Sequence, residues 1–259
     1  MTFCLGMKME QGLVAIADTR ITSGTEIHTA PKLSTYQAPG GELFLMTSGL
    51  RSARDKAVTY FEEALDSGSG RALDRTWKAA NLLGQQVRRV AAEDSQALAE
   101  AHLSFNLFAL VGGRLKRDAA PCLYLLYPQG NWVEIHESRP YSIIGETNFG
   151  RPILDRTFTY KDPLDWGLKI GCLAFDSTRI SANDVDFPLD IAIYEAATGK
   201  MRTGRLEAVD LSPVSQWWSG RIRAAVSEMP AGHVSALMGK VKPRSPQRAK
   251  AAPKRQPAS

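Results

Sequence analysis

The stretch MTFCLGMKM (residues 1–9) decides the fold, because an alternating apolar segment begins directly behind Met1. Its odd-numbered residues from position 3 are large and apolar, which is the two-residue period of a half-buried β-strand. A second apolar segment, LVAIADTR (residues 13–20), follows a short turn that contains Gly12. The two segments predict a tight β-hairpin. Chain ends usually fray unless something holds them, so we predict a structural or functional task for the first residues.

Strand and helix periodicities alternate in separate blocks along the rest of the chain. Further strands are predicted in residues 31–37, 41–49, 103–113, 121–130, 131–137, 142–145, 188–196 and 200–210. Helical spacing of apolar residues is present near residues 57–65, 73–90, 149–158, 163–175 and 212–228. Such blocks favour an α+β fold with mainly antiparallel sheets over alternating βαβ units. Helix pairs on the outer faces of two stacked sheets would bury most of the apolar stripes.

The formal net charge of +5 comes from the end of the chain. The last twenty residues contain no acidic residue and seven basic ones, namely Lys240, Lys242, Arg244, Arg248, Lys250, Lys254 and Arg255. Without them, 25 basic residues are interspersed with 27 acidic ones, so a folded basic patch for nucleic acid is not indicated. Residues 236–259 predict a disordered basic tail behind a folded domain at residues 1–235. Contact of this tail with nucleic acid or an acidic partner is the less favoured interpretation.

The cysteine pattern excludes several classes of protein. Cys4, Cys122 and Cys172 are an odd and widely spaced set, which indicates neither a zinc site nor a disulfide framework. Neither a metal nor another cofactor is expected. No run of about eighteen apolar residues is present, and no secretory leader is expected. These observations predict a cytoplasmic protein with free thiols.

Reactive side chains converge at the ends of the predicted strands. If paired residue numbers in the hairpin sum to 22, Thr2 lies opposite Arg20 and diagonal to Asp18. Lys32 begins the next strand. Because Thr2 is small, methionine aminopeptidase is expected to remove Met1, and no propeptide has to be cleaved. The sequence therefore predicts a threonine hydroxyl beside its own α-amine, close to a carboxylate and an ammonium group.

These groups suit nucleophilic catalysis. A threonine hydroxyl is a weak nucleophile, and its own α-amine, with a reference pKa of about 7.7–8.0, can serve as the base. Lys32 would favour the alkoxide, and Asp18 would hold Lys32 in place. Gly49 ends a strand, where its N–H can stabilise an oxyanion. Cys4 is the other candidate nucleophile, but its interior strand position favours a packing role.

The same segments resemble a known family. MT-x-C-x-G, GLVAIADTR, PKL and TSG, in that order over the first fifty residues, are similar to proteasome β-type N-terminal-nucleophile hydrolases, and in particular to the bacterial proteasome-like family called Anbu. The later segments IGETNFGRPILDR, FDSTRIS and PLDIAIYEA fit the same branch, so the resemblance covers residues 2–230. It implies a four-layer αββα sandwich whose first strand begins at the nucleophile of a threonine-type peptidase.

The resemblance also implies the members of the site. Catalytic roles fall on Thr2, Asp18, Lys32 and Gly49, and the family's supporting Asp and Ser near the α-amine are assigned to Asp176 and Ser181. Many proteasome-type subunits have Gly-Ser-Gly before the third helix, where this chain has residues 145–147, Gly-Glu-Thr. Glu146 therefore replaces the serine that assists the α-amine.

Three functions remain open at this stage. The favoured one is a proteasome-type peptidase that cleaves peptide or protein substrates. The second is an assembly protein with weak or no catalysis, which the replacement at Glu146 suggests. The third is a hydrolase of small amides. The resemblance further implies a homo-oligomer that forms an open or spiral ring, and the assembly is expected to survive deletion of residues 240–259. No membrane partner is expected, and nucleic acid is disfavoured.

Overall fold

The computed structural model describes residues 2–23, 26–38 and 40–241. Its strands are β1 (Phe3–Met9), β2 (Gly12–Asp18), β3 (Arg20–Ser23), β4 (Glu26–Thr29), β5 (Leu33–Ala38), β6 (Gly41–Ser48), β7 (Phe108–Arg114), β8 (Cys122–Leu126), β9 (Trp132–Glu134), β10 (Tyr141–Gly145), β11 (Leu189–Glu195) and β12 (Lys200–Leu206). Its helices are α1 (Arg51–Asp66), α2 (Gly68–Arg71), α3 (Thr76–Glu100), α4 (Arg151–Thr157), α5 (Leu164–Ser181), α6 (Ala208–Ser227) and α7 (Ala231–Lys240).

The strands form two five-stranded sheets and one two-stranded ribbon. The first sheet has the order β10-β1-β2-β11-β12, the second has the order β5-β6-β7-β8-β9, and β3 pairs with β4. Every pairing is antiparallel. The α+β class predicted from the separate blocks of strands and helices is therefore confirmed.

Three apolar cores hold the layers of the sandwich together. Between the two sheets, small side chains such as Cys4 and Ala15 from the first sheet pack against larger ones such as Phe44 from the second. Helices α4 and α5 cover the outer face of the first sheet, where Phe3 contacts Phe175. Helices α1 and α3 cover the second sheet. The four-layer αββα arrangement implied by the resemblance is confirmed.

The register of the first hairpin differs from the prediction by one residue. The loop between β1 and β2 holds two residues, so the paired residue numbers sum to 21 rather than 22. Continued to the strand ends, this register places Thr2 opposite position 19 and not opposite Arg20. The sequence indicates a tight turn here but does not fix its length, and a change of one residue turns every side chain of a strand to the other face.

The chain divides into two compact units, residues 1–215 and 216–259. Helix α7 in the second unit covers residues 236–240, which the sequence analysis had assigned to a disordered tail. That assignment is wrong for these five residues, since Val234, Leu237 and Met238 recur at helical spacing. Val241 follows the helix, and residues 242–259 of the tail lie outside the described residues. Among the helices described here, none is both long and apolar enough to span a membrane.

Candidate active site

Thr2 lies immediately before β1 in a cleft of about 630 Å³, which we call the Thr2 cleft. The cleft is lined by Thr2, Arg20, Ile21, Thr22, Lys32, Thr47, Ser48, Gly49, Leu50, Arg51, Arg54, Asn106, Phe108 and Gly145. These residues come from strand ends and from the start of α1, so the cleft opens where several elements terminate. Three of the residues predicted for the site, Thr2, Lys32 and Gly49, therefore share one cavity.

The backbone around Thr2 is fixed from two directions. Glu146 N–H donates a hydrogen bond to the carbonyl oxygen of Thr2 at 2.6 Å. The N–H of the next residue, Phe3, donates to Oδ1 of Asp18 at 2.8 Å. Gly145 has a φ of +89°, and a Cβ there would lie 1.9 Å from the Thr2 carbonyl oxygen, so only glycine allows this close approach. Thr2 is thus held in place by contacts that do not use its hydroxyl group.

Lys32 and Asp18 form a buried ion pair beside Thr2. Lys32 Nζ donates to both carboxylate oxygens of Asp18 at 2.8 Å and to the carbonyl oxygen of Arg20 at 2.5 Å. The three donors of the ammonium group therefore all have protein acceptors. Burial raises the pKa of Asp18, while Lys32 and the Phe3 N–H act in the opposite direction.

Gly49 supplies the backbone donor of the cleft. Its φ is +137°, a region that favours glycine, and it lies between the end of β6 and the start of α1. Leu50 N–H is bound to Asn106 Oδ1 at 2.8 Å. Among the described residues, by contrast, no acceptor bonds to the Gly49 N–H. This N–H is therefore available to an oxygen atom that enters the cleft.

Replacing Gly49 with alanine is expected to destabilise the fold. A Cβ at this position would lie 2.2 Å from the carbonyl oxygen of Asn106, and the positive φ is strained for any L side chain. We expect the free energy of unfolding to fall by about 1–3 kcal/mol in urea denaturation. Gly68→Ala is the matched control, because nothing lies within 4 Å of a Cβ there. Equal stability of the two variants would contradict the assignment of a strained backbone at Gly49.

Asp176 and Ser181 do not line the Thr2 cleft. Asp176 lies on α5 and is buried, and its Oδ1 accepts a hydrogen bond from Arg179 at 2.8 Å. Its Oδ2 is buried and has no hydrogen-bond partner in the described part of the chain. Ser181 is the last residue of α5 and is exposed. The structure therefore brings together four of the six candidates: Thr2, Lys32 and Gly49 line the cleft, and Asp18 lies behind Lys32. Asp176 and Ser181 are not among the residues that line the cleft.

Cys4 is enclosed by the two sheets and does not line the cleft. Its side chain has no exposed surface, and its thiol donates weakly to the carbonyl oxygen of Thr47. Burial, followed by the nearby charge of Asp18, raises the pKa of the Cys4 thiol well above its usual range. A thiolate nucleophile is disfavoured at this position. No group of His, Cys, Asp and Glu side chains among the described residues is arranged to hold a metal ion.

Two features of the site were not predicted from the sequence, namely the backbone contact of Glu146 with Thr2 and the position of Arg54. Glu146 acts on Thr2 through its backbone N–H, while its carboxylate accepts a hydrogen bond from Asn148 N–H at 3.0 Å. Backbone contacts of this kind leave no residue-specific signal in a sequence. Arg54 lines the cleft from α1. The sequence signal for Arg54 was its position in the first turn of the helix that follows Gly49. A helix that starts at a cleft directs the side chains of its first turn toward that cleft.

Comparisons with known proteins agree with this architecture. No protein-family model matches the chain, and no curated protein does. Among solved structures, an Anbu (Gly-1) mutant from Hyphomicrobium sp. strain MC1 is 31% identical with a TM-score of 0.81, over 88% of this chain and 99% of that chain. Anbu (ancestral beta-subunit) from Yersinia bercovieri is 28% identical with a TM-score of 0.81, over 88% and 98%.

A third structure, described as the helical assembly of the Anbu complex from Pseudomonas aeruginosa, is 28% identical with a TM-score of 0.82, over 88% of this chain and 97% of that chain. These similarities extend over nearly the whole length of each relative. The chain belongs to the Anbu family of bacterial proteasome-like proteins, within the N-terminal-nucleophile hydrolases.

Proposed function

We propose that this protein is a threonine-type peptidase of proteasome type, in which Thr2 is the nucleophile once Met1 has been removed. The observation that carries the proposal is the shared cleft of Thr2, Lys32 and Gly49, with Asp18 bound to Lys32. A hydroxyl, a fixed cation and an unbonded backbone N–H are the groups that acyl transfer requires.

The proposed reaction begins with attack of Thr2 Oγ on the carbonyl carbon of a peptide bond. The hydroxyl proton passes to the α-amine of Thr2, which acts as the base. The carbonyl oxygen becomes an oxyanion that accepts a hydrogen bond from Gly49 N–H, and the positive charge of Lys32 favours its formation. The peptide nitrogen then takes the proton from the α-amine and departs, which leaves an ester on Thr2. Water hydrolyses the ester, releases the acid and restores the hydroxyl group.

Intact-mass spectrometry of the purified protein, followed by labelling with a threonine-directed electrophile such as a peptidyl epoxyketone, tests this proposal. We expect a mass that lacks Met1 and the attachment of one electrophile per chain, mapped to Thr2. The α-amine is needed as the base, so retention of Met1 would contradict the mechanism. Loss of Met1 without any labelling would contradict the assignment of Thr2 as an active nucleophile.

One observation favours a second candidate, an assembly protein with weak or no catalysis. Asp176, one of the two residues expected to support the α-amine, does not line the cleft, and its Oδ1 accepts a hydrogen bond from Arg179. The labelling rate separates the two functions. Rapid stoichiometric modification of Thr2 favours the peptidase, and an unreactive Thr2 in protein that has lost Met1 favours the assembly protein.

We also propose that the protein works as a homo-oligomer with an open or helical arrangement. The Anbu complex from Pseudomonas aeruginosa is described as a helical assembly. In this chain, α6 presents exposed apolar side chains, among them Trp217, Ile222 and Val226, which suit contact with another subunit. Sedimentation velocity is expected to show a species of many subunits, with or without residues 240–259. A monomer at micromolar concentration would contradict this proposal.

The location that we propose is the cytoplasm. Cys4, Cys122 and Cys172 are all free thiols in the structure, and Cys4 and Cys172 are buried. Free thiols are typical of a reducing compartment.

A further inference from the structure

A second cavity, which we call the side pocket, adjoins the Thr2 cleft. Its volume is about 220 Å³, and its lining residues come from β5, β6, α1 and the segment before β5. The side pocket and the Thr2 cleft have three lining residues in common, namely Lys32, Thr47 and Arg54. If the carbonyl carbon of a substrate residue lies at Thr2, the side chain of that residue can therefore reach the side pocket.

Arg54 is the cation of the side pocket that retains free hydrogen-bonding capacity. Its guanidinium contacts one oxygen of Asp55, from Nε at 2.9 Å and from Nη2 at 2.8 Å. In the part of the chain that the structure describes, Asp55 is the one partner of this guanidinium, so most of its five N–H donors remain unused. The Arg54 side chain is only 16% exposed. A planar donor group that is largely shielded from solvent suits a carboxylate.

The charges around the Thr2 cleft are unevenly distributed. At the α1 end, Arg51 and Arg54 share the single carboxylate of Asp55. Toward β3, Arg20 is paired with Asp186 at 2.9 Å. The pKa of Asp184 is lowered first by a hydrogen bond with Thr22 and, to a smaller extent, by the charge of Arg20. Positive charge is therefore in excess at the end where the side pocket lies.

We propose that the side pocket binds the acidic side chain, Asp or Glu, of the substrate residue whose carbonyl carbon Thr2 attacks, and that Arg54 determines this preference. The inference rests on the proposed peptidase function, since it assigns the substrate class of the same site. Ser34 and Thr47 also line the side pocket and bring hydroxyl groups to it, while Asp55 is the acidic residue of its lining. A lysine side chain is disfavoured by repulsion from Arg54 and Lys32.

The test uses the full chain and peptidyl epoxyketones that differ only in the residue next to the reactive group, with Glu, Gln, Leu or Lys at that position. The readout is the second-order rate of Thr2 labelling by intact mass. A charge-assisted hydrogen bond is about twice as strong as a neutral one, so we expect the Glu compound to react about tenfold faster than the Gln compound. Arg54→Gln is expected to bring this Glu-to-Gln ratio close to one. Asp55→Asn should raise the ratio, because it removes the carboxylate that competes for Arg54.

The matched control is Arg89→Gln, which removes the same charge from an exposed pair with Glu93 on α3. The Glu-to-Gln ratio should not change in this variant. Labelling of Thr2 with equal rates for Glu and Gln, or a Glu preference that survives Arg54→Gln, would overturn the side-pocket inference and leave the peptidase proposal standing. No labelling by any compound in protein that has lost Met1 would overturn both. Thermal unfolding of each variant shows whether a changed ratio comes from a folded protein.

Discussion

Asp18→Asn is expected to lower the free energy of unfolding by about 3–5 kcal/mol and to stop labelling of Thr2 by an electrophile. Asp18 has no exposed surface and Lys32 is only 5% exposed. The substitution leaves the Lys32 ammonium group buried with only neutral acceptors, the Arg20 carbonyl oxygen and one amide oxygen. An uncompensated buried charge is among the largest destabilising changes that one substitution can cause. Urea denaturation measures the first effect and intact-mass spectrometry the second.

Two further variants sharpen this prediction. In Asp18→Asn/Lys32→Met no charge is left buried, so we expect much of the lost stability to return while Thr2 stays unlabelled. Asp165→Asn is the surface control, because Asp165 forms an exposed ion pair with Lys169 on α5, and little change is expected. If Asp18→Asn were as stable as the control, the ion pair would not have the structural role that its burial indicates.

Thr2→Ala is expected to abolish turnover of a broad peptide library. The substitution removes the hydroxyl group that forms the acyl ester, and loss of the nucleophile in a serine protease lowers kcat by a factor of about 10⁶. Both backbone contacts of this region, from Glu146 N–H and from Phe3 N–H, are retained. The fold should therefore be preserved, so thermal unfolding should differ little from that of the parent protein.

Thr2→Ser is the matched variant for this experiment, since it keeps a hydroxyl group and a small residue behind Met1. We expect it to retain measurable turnover. Intact mass should show that Met1 is absent from both variants, which makes their rates comparable. Unchanged turnover in Thr2→Ala would identify the activity as a contaminant or as the work of another residue, and would contradict the assigned nucleophile.

The fold was largely predictable because it depends on local patterns. The strand at residues 3–9 and the helical spacing in α3 were predicted correctly. The half-buried character expected of that strand is wrong, because β1 is buried along its whole length between helices on one face and the second sheet on the other. The register of the first hairpin was not predictable, because it depends on whether the turn holds two residues or more, and a tight turn containing Gly12 allows either. A shift of one residue changes which residue lies opposite Thr2 and turns the side chains of one strand to the other face.

The site was predictable only where its members lie at strand ends. The sequence indicated Thr2, Asp18, Lys32 and Gly49 because each stands where an apolar segment begins or ends. Asp176 and Ser181 lie together on α5, which is longer than predicted. At 3.6 residues per turn, five residues rotate the side-chain direction by roughly 140°, so one helix cannot direct both side chains to one point. The position of Arg54 behind Gly49 was a local signal, but the pocket that Arg54 lines depends on the packing of α1 against β5 and β6 and leaves no such signal.

The two backbone hydrogen bonds beside Thr2 also determine at which step the conformational entropy of this residue is lost. A chain end is normally the part of a protein with the greatest conformational freedom, and restricting one residue costs about 1–2 kcal/mol. Here Glu146 and Asp18 impose that restriction during folding. Under the proposed mechanism, an incoming substrate would therefore not have to organise Thr2, and removal of Met1 would uncover a group already in position.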